Sequence, residues 1–161
     1  MKSKLLIFVI ILATAYSCKS TQQYNYKPAE WFNISVAADV EIFIDTASIQ
    51  RNDAIVYATE KRVYKTAKSR AAYVEKIRDA YDRLGKIEKA NKWIDFSYCT
   101  YDCLYECTNK RFRILKARDY DSKGNLIAET ITPKDRIRWL NIEPETVGDY
   151  TFFFVCDFDQ Q

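Results

Sequence analysis

Four of the five cysteines in this 161-residue chain, Cys99, Cys103, Cys107 and Cys156, fall between residues 99 and 156, and that clustering constrains the fold more than any other feature. Three thiols at four-residue spacing with a fourth far away have two chemical uses, a metal site or disulfides. The run lacks the Cys-x2-Cys pairs of zinc ribbons, and an exported chain meets oxidant before metal, so disulfides are expected and no metal. Four cysteines allow three pairings, and the residues alone leave them open. Cys99 and Cys103 on a straight strand lie about 13 Å apart, beyond disulfide reach, so bridging them requires a turn through Tyr101-Asp102.

Export is read from the first residues. Lys2 and Lys4 form a charged start, and Leu5 to Leu12 is an apolar run of eight. Such a run is too short to span a bilayer as a helix, which makes residues 1–17 a signal peptide. It ends in Ala15-Tyr16-Ser17-Cys18, which resembles the lipobox of bacterial lipoproteins, with Tyr16 where a smaller residue is usual. Cys18 is the expected lipidation site. Each buried acyl methylene is worth about 0.8 kcal/mol, and more than one chain makes the anchorage stable. Residues 18–30 are polar, with Pro28 near their end, and read as a tether. Residues 31–161 are long enough for one domain and short for two. The expected location is the cell envelope, at the outer membrane, on its periplasmic or surface face.

Composition removes most chemistry. No histidine occurs in the sequence, which excludes Ser-His and Cys-His catalysis, imidazole ligands and a histidine switch. Lys and Arg number 25 against 22 Asp and Glu, and losing Lys2 and Lys4 with the leader leaves 23 against 22. A chain so balanced has no general pull on nucleic acid. Three glycines form no phosphate loop, and no pair of acids stands in a hydrolase pattern. Neither an enzyme nor a cofactor is expected. Tyr98, Tyr101 and Tyr105, with Trp93 and Trp139, offer an aromatic platform for a sugar or peptide, or ordinary core packing.

The periodicity defines an α+β fold. Trp31 to Val36, Val40 to Asp45 and Ala54 to Thr59 read as a three-stranded antiparallel meander, with turn residues at 45–48 and 51–53 around Ile49. Between Lys65 and Ala90 the period changes. Val74, Ile77, Tyr81, Leu84 and Ile87 mark one face of an amphipathic helix that Gly85 ends or bends. Glu75 with Arg78, Asp79 with Arg83 and Asp82 with Lys86 can pair on its other face. Arg111 to Tyr120 and Leu126 to Ile131 form a hairpin across Asp121-Ser-Lys-Gly-Asn125. Tyr150 to Phe158, apolar on both faces, reads as a covered terminal strand.

Particular motifs then carry a resemblance. Glu41-Ile-Phe-Ile-Asp-Thr-Ala-Ser-Ile49 followed by Asn52-Asp-Ala-Ile-Val-Tyr57, Cys107-Thr-Asn-Lys-Arg-Phe-Arg-Ile-Leu115, and Trp139 through Pro144 and Gly148 to Val155-Cys156 are similar to the surface-adhesin E family of small bacterial lipoproteins. The resemblance covers residues 31 to 156 in outline. It implies a small, mainly antiparallel sheet with helix, and a disulfide between Cys107 and Cys156. The helical block near 67–90 stands outside the pattern as an insertion, as do Cys99 and Cys103. The function implied is a membrane-anchored, non-enzymatic lipoprotein of the adhesin kind that binds a protein or extracellular-matrix partner. The alternative is an accessory envelope lipoprotein in the periplasm without a host ligand.

Overall fold

The computed structural model describes residues 28–36 and 39–158. The leader, Cys18 and most of the tether lie outside the described residues. Seven strands form one open, antiparallel sheet: β1 (Trp31–Val36), β2 (Val40–Asn52), β3 (Ile55–Tyr64), β4 (Phe96–Glu106), β5 (Arg111–Asp121), β6 (Leu126–Ile131) and β7 (Leu140–Asn141). Strands β1 to β6 pair in sequence order, and β7 shares the outer edge of β5 with β6. Strands β1 to β6 thus form a meander, broken between β3 and β4 by the helical residues 65–95.

The expected break between two strands at 45–48 is instead a bulge inside β2. The register jumps from Asp45–Thr59 to Gln50–Tyr57 without the strand ending. Local side chains close the bulge. The Ser48 hydroxyl donates to the Asp45 carbonyl at 2.7 Å and accepts the Thr59 N–H at 2.8 Å, and the Asp45 carboxylate takes the Ala47 N–H. The turn at 51–53 is as the sequence indicates, with Asp53 at φ 52°.

Helix α1 (Ala67–Asp82) starts where Thr66 accepts the Ser69 N–H and Ser69 reaches back to the Thr66 N–H. It closes at Gly85, whose φ of 64° lets the Lys86 N–H return to the Tyr81 carbonyl at 2.9 Å. Val74, Ile77 and Tyr81 face the sheet, whereas Leu84 and Ile87 fall past the helix end and are exposed. On the solvent side, Glu75 and Arg78 pair at 3.7 Å. A 3-10 segment, Ile87–Trp93, then seats Trp93 in the core.

The terminal segment corrects the reading of Tyr150 to Phe158 as a strand, because residues Val147–Asp157 form helix α2. Thr146 caps it by accepting the Asp149 N–H at 3.2 Å, and the Asp149 carboxylate takes the Glu145 N–H and pairs with Lys110 at 2.7 Å. Phe152, Val155 and Cys156, at helical spacing, enter the core beside Ile44, Val56 and Tyr105. High β-propensity lost to packing at a 3.6-residue period.

The Cys107–Cys156 disulfide is present, with Cα atoms 5.8 Å apart. It joins the end of β4 to the last turn of α2, not to a strand. The second bridge suggested by an even count of cysteines is absent. Cys99 and Cys103 are buried free thiols, because β4 runs straight through Tyr101-Asp102 and holds them two residue pairs apart on one face.

Candidate functional site: the open face of the sheet

Strand alternation sorts the side chains into two faces. On the covered face, α1 and the 3-10 segment pack on Cys99 and Phe96, while α2 packs on Cys103 and Tyr105. Between these two cores lies a polar strip. Arg62 bonds Glu60, whose carboxylate accepts the Tyr105 hydroxyl at 3.4 Å, and Arg62 also sits over the Tyr101 ring. Burial pushes the Cys99 thiol up to about 11 and the Cys103 thiol up as well, so neither is a nucleophile near neutral pH. The Asp119 carboxylate accepts the Tyr73 hydroxyl and the Trp93 indole N–H, each at 2.8 Å. Burial raises its pKa, and those two bonds hold it down. These groups are structural. A cleft of about 480 Å³ between α1 and the 3-10 segment has Val74, Trp93 and Phe96 on its walls, and Arg70 on its rim is already bonded to two carbonyls of the chain.

The opposite face carries no helix among the described residues. It is built in three rows across the strands. In the first, the Lys61 ammonium lies 4.3 Å from the Trp31 ring centroid, 5.1 Å from Phe43 and 5.9 Å from Tyr98. Tyr98 stacks on Tyr120 at 4.7 Å. Partial burial lowers the pKa of Lys61. The second row centres on Asp102, 8% exposed, which takes both Arg118 Nη groups at 3.1 Å. Arg118 Nε also donates to Glu129 at 2.8 Å, and the Tyr57 and Thr59 hydroxyls continue the network. A bidentate, half-buried pair of this kind fixes side-chain positions better than a mobile surface pair does. In the third, Arg113 lies 4.5 Å and Arg111 5.2 Å from the Trp139 centroid, and Arg111 bonds Glu106.

The aromatic platform of the sequence is thus divided. Tyr98 and Trp139 stand on the open face, whereas Tyr101, Tyr105 and Trp93 belong to the cores. Trp31, Phe43, Lys61 and the Asp102–Arg118 pair were not singled out from the sequence. The readable signal was alternation: Arg111-Phe112-Arg113 puts two guanidiniums on one face, and Phe43 stands one residue out of phase with the core pair Ile42 and Ile44.

A sheet covered on one side, with rings and cations set in fixed rows on the other and a disulfide pinning its terminal helix, makes this a small α+β domain with one open face. The chain belongs to the surface-adhesin protein E family, whose profile matches residues 31–157. Membership supports a surface-exposed, adhesin-like envelope protein and implies a non-enzymatic role. No curated protein matches the chain. Among solved structures, crystal form II of Haemophilus influenzae protein E is similar over 84% of this chain and 100% of its own, at 13% identity and TM-score 0.45. Protein E from non-typeable Haemophilus influenzae is similar over 85% of this chain and 82% of its own, at 12% identity and TM-score 0.43.

Proposed function

We propose that the chain is a lipid-anchored envelope protein, processed before Cys18, that holds its domain on the 18–30 tether and binds a protein or matrix partner through the open sheet face. The observation that carries this reading is the uncovered face itself. Rings that would normally enter a core, Trp31, Phe43, Tyr98 and Trp139, are held in place there by cations. Aromatic and cationic side chains are the anchors that protein recognition uses most. The leader pattern and family membership support the anchorage and the exposure.

Three measurements test it. Cys18→Ser is expected to move the protein from the membrane to the soluble fraction; a variant that stays membrane-bound with its leader intact refutes lipidation. Protease added to intact cells is expected to remove the domain, and full protection would place it in the periplasm as an accessory lipoprotein. Immobilised matrix proteins are expected to capture the wild type but not Lys61→Glu with Tyr98→Ala. Equal capture of both would move the site off this face.

A further inference from the structure

Charge on this near-neutral chain is segregated at one corner. The segment after β6 runs back along the edge of β5: the Thr132 N–H bonds the Leu115 carbonyl at 2.9 Å, and Leu140 then pairs with Phe112. Lys134, Arg136 and Arg138, all exposed, lie in the segment that links β6 to β7 along β5, the strand that presents Arg111, Arg113 and Lys116. Against these six cations stand Glu106, Glu129 and Asp135. Glu106 is taken by Arg111 and Glu129 is shared by Arg118 and Lys116. Among the described residues, Arg113, Lys134, Arg136 and Arg138 have no carboxylate within 4.0 Å.

We propose that this corner, centred on Trp139, binds a sulfated, uronate-bearing polysaccharide. The inference rests on the reading of the open face as a binding surface and names a ligand chemistry for part of it. Two guanidiniums share the Trp139 ring, and Arg113 Nε is buried with no acceptor. Glu106 already compensates Arg111, so the uncompensated charge beside the ring is that of Arg113, and an incoming anion would pair it. Sulfate and carboxylate oxygens match the guanidinium fork, and an indole offers a flat apolar surface to a sugar ring. Arg111 and Arg113 are two residues apart on one face, roughly 7 Å, and the cations continue in the segment that links β6 to β7. A linear array of charge fits a polymer that carries anions along its length better than it fits a compact acidic patch.

The test uses the full-length chain in detergent on immobilised heparin at 0.15 M salt. The wild type is expected to be retained and to elute as salt rises. The Arg113→Gln, Arg136→Gln, Arg138→Gln variant is expected to bind roughly tenfold or more weakly. Arg136→Gln with Arg138→Gln alone, both at exposed positions, is expected to show part of the loss with an unchanged melting temperature. Desulfated heparin, polyglutamate and phosphatidylserine vesicles are expected to compete poorly. Failure of the wild type to be retained, equal retention of the variants, or equal competition by polyglutamate or vesicles overturns the inference. Capture of a matrix protein that still depends on Lys61 and Tyr98 would leave the wider binding function standing, whereas loss of both would remove it.

Discussion

Opening the Cys107–Cys156 bond by replacing both residues with Ala tests how the terminal helix is held. The two cysteines are 49 residues apart, and closing a loop of that length removes unfolded-chain entropy worth about 4 kcal/mol. That is a large share of the 5–15 kcal/mol typical of a domain. Helix α2 has other attachments. Phe152 and Val155 are buried, each worth about 2 kcal/mol, and Arg51 donates to the Cys156 carbonyl. The folded state should therefore keep α2 in place, and the loss should arise in the unfolded chain. The expected result is a melting temperature lower by roughly 10–20 °C together with a steeper urea dependence, because the unlinked chain exposes more surface on unfolding. Calorimetry and urea titration of the double variant measure both. A loss under about 1 kcal/mol, or an unchanged urea slope with native helix signal gone, would refute the entropic account. Peptide mapping without reduction that joins Cys156 to Cys99 or Cys103 would refute the pairing itself.

Two further outcomes follow from buried groups. Burial raises the Cys99 thiol from its ordinary 9.0 to about 11, so its contribution to stability is present below about pH 9 and is lost as pH rises through 11. The stability gap between wild type and Cys99→Ala is expected to narrow over that window by up to about 3 kcal/mol, as read by urea titration; a constant gap would show that the thiol is solvated. Asp119→Ala is expected to cost about 2–4 kcal/mol, since it strips acceptors from Tyr73 and Trp93. Asp119→Asn keeps an oxygen to accept the Trp93 N–H and turns its amide N–H to donate to the Tyr73 hydroxyl oxygen, without a buried charge. Because burial raises the pKa of Asp119, its contribution is present at low pH and lost as pH rises, so Asn is expected to match or exceed wild type at pH 7 and converge with it in acid. An Asn variant several kcal/mol weaker at neutral pH would contradict that sign.

Wherever a local interaction decides the backbone, the sequence was sufficient. Gly85 ends α1 and Asp121 and Gly124 turn the β5–β6 hairpin, whereas β3 outruns the strand legible at Ala54 to Thr59 because pairing with β2 and β4 carries it to Tyr64. Even the misread helix carried a legible start, since Thr146 and Asp149 are spaced as a cap and its first-turn acid. The run Phe152-Phe-Phe-Val-Cys156 hid it, because apolar residues at every position show no period. Tertiary structure alone decided three things. Packing chose helix for that run, because a stripe of Phe152, Val155 and Cys156 fits the cavity over Ile44 and Val56. The straightness of β4 left Cys99 and Cys103 as thiols: four-residue spacing puts them out of reach on a straight strand, and only the pairing with β3 decided that the chain does not turn at Tyr101-Asp102. The open face was decided last. Both helices settle on the side bearing Cys99, Tyr101, Cys103 and Tyr105, and the alternate residues keep Trp31, Phe43 and Tyr98 around Lys61 in view of solvent. A strand that is apolar on both sides does not say which side will be covered. That choice belongs to the helices, which can bury only one face.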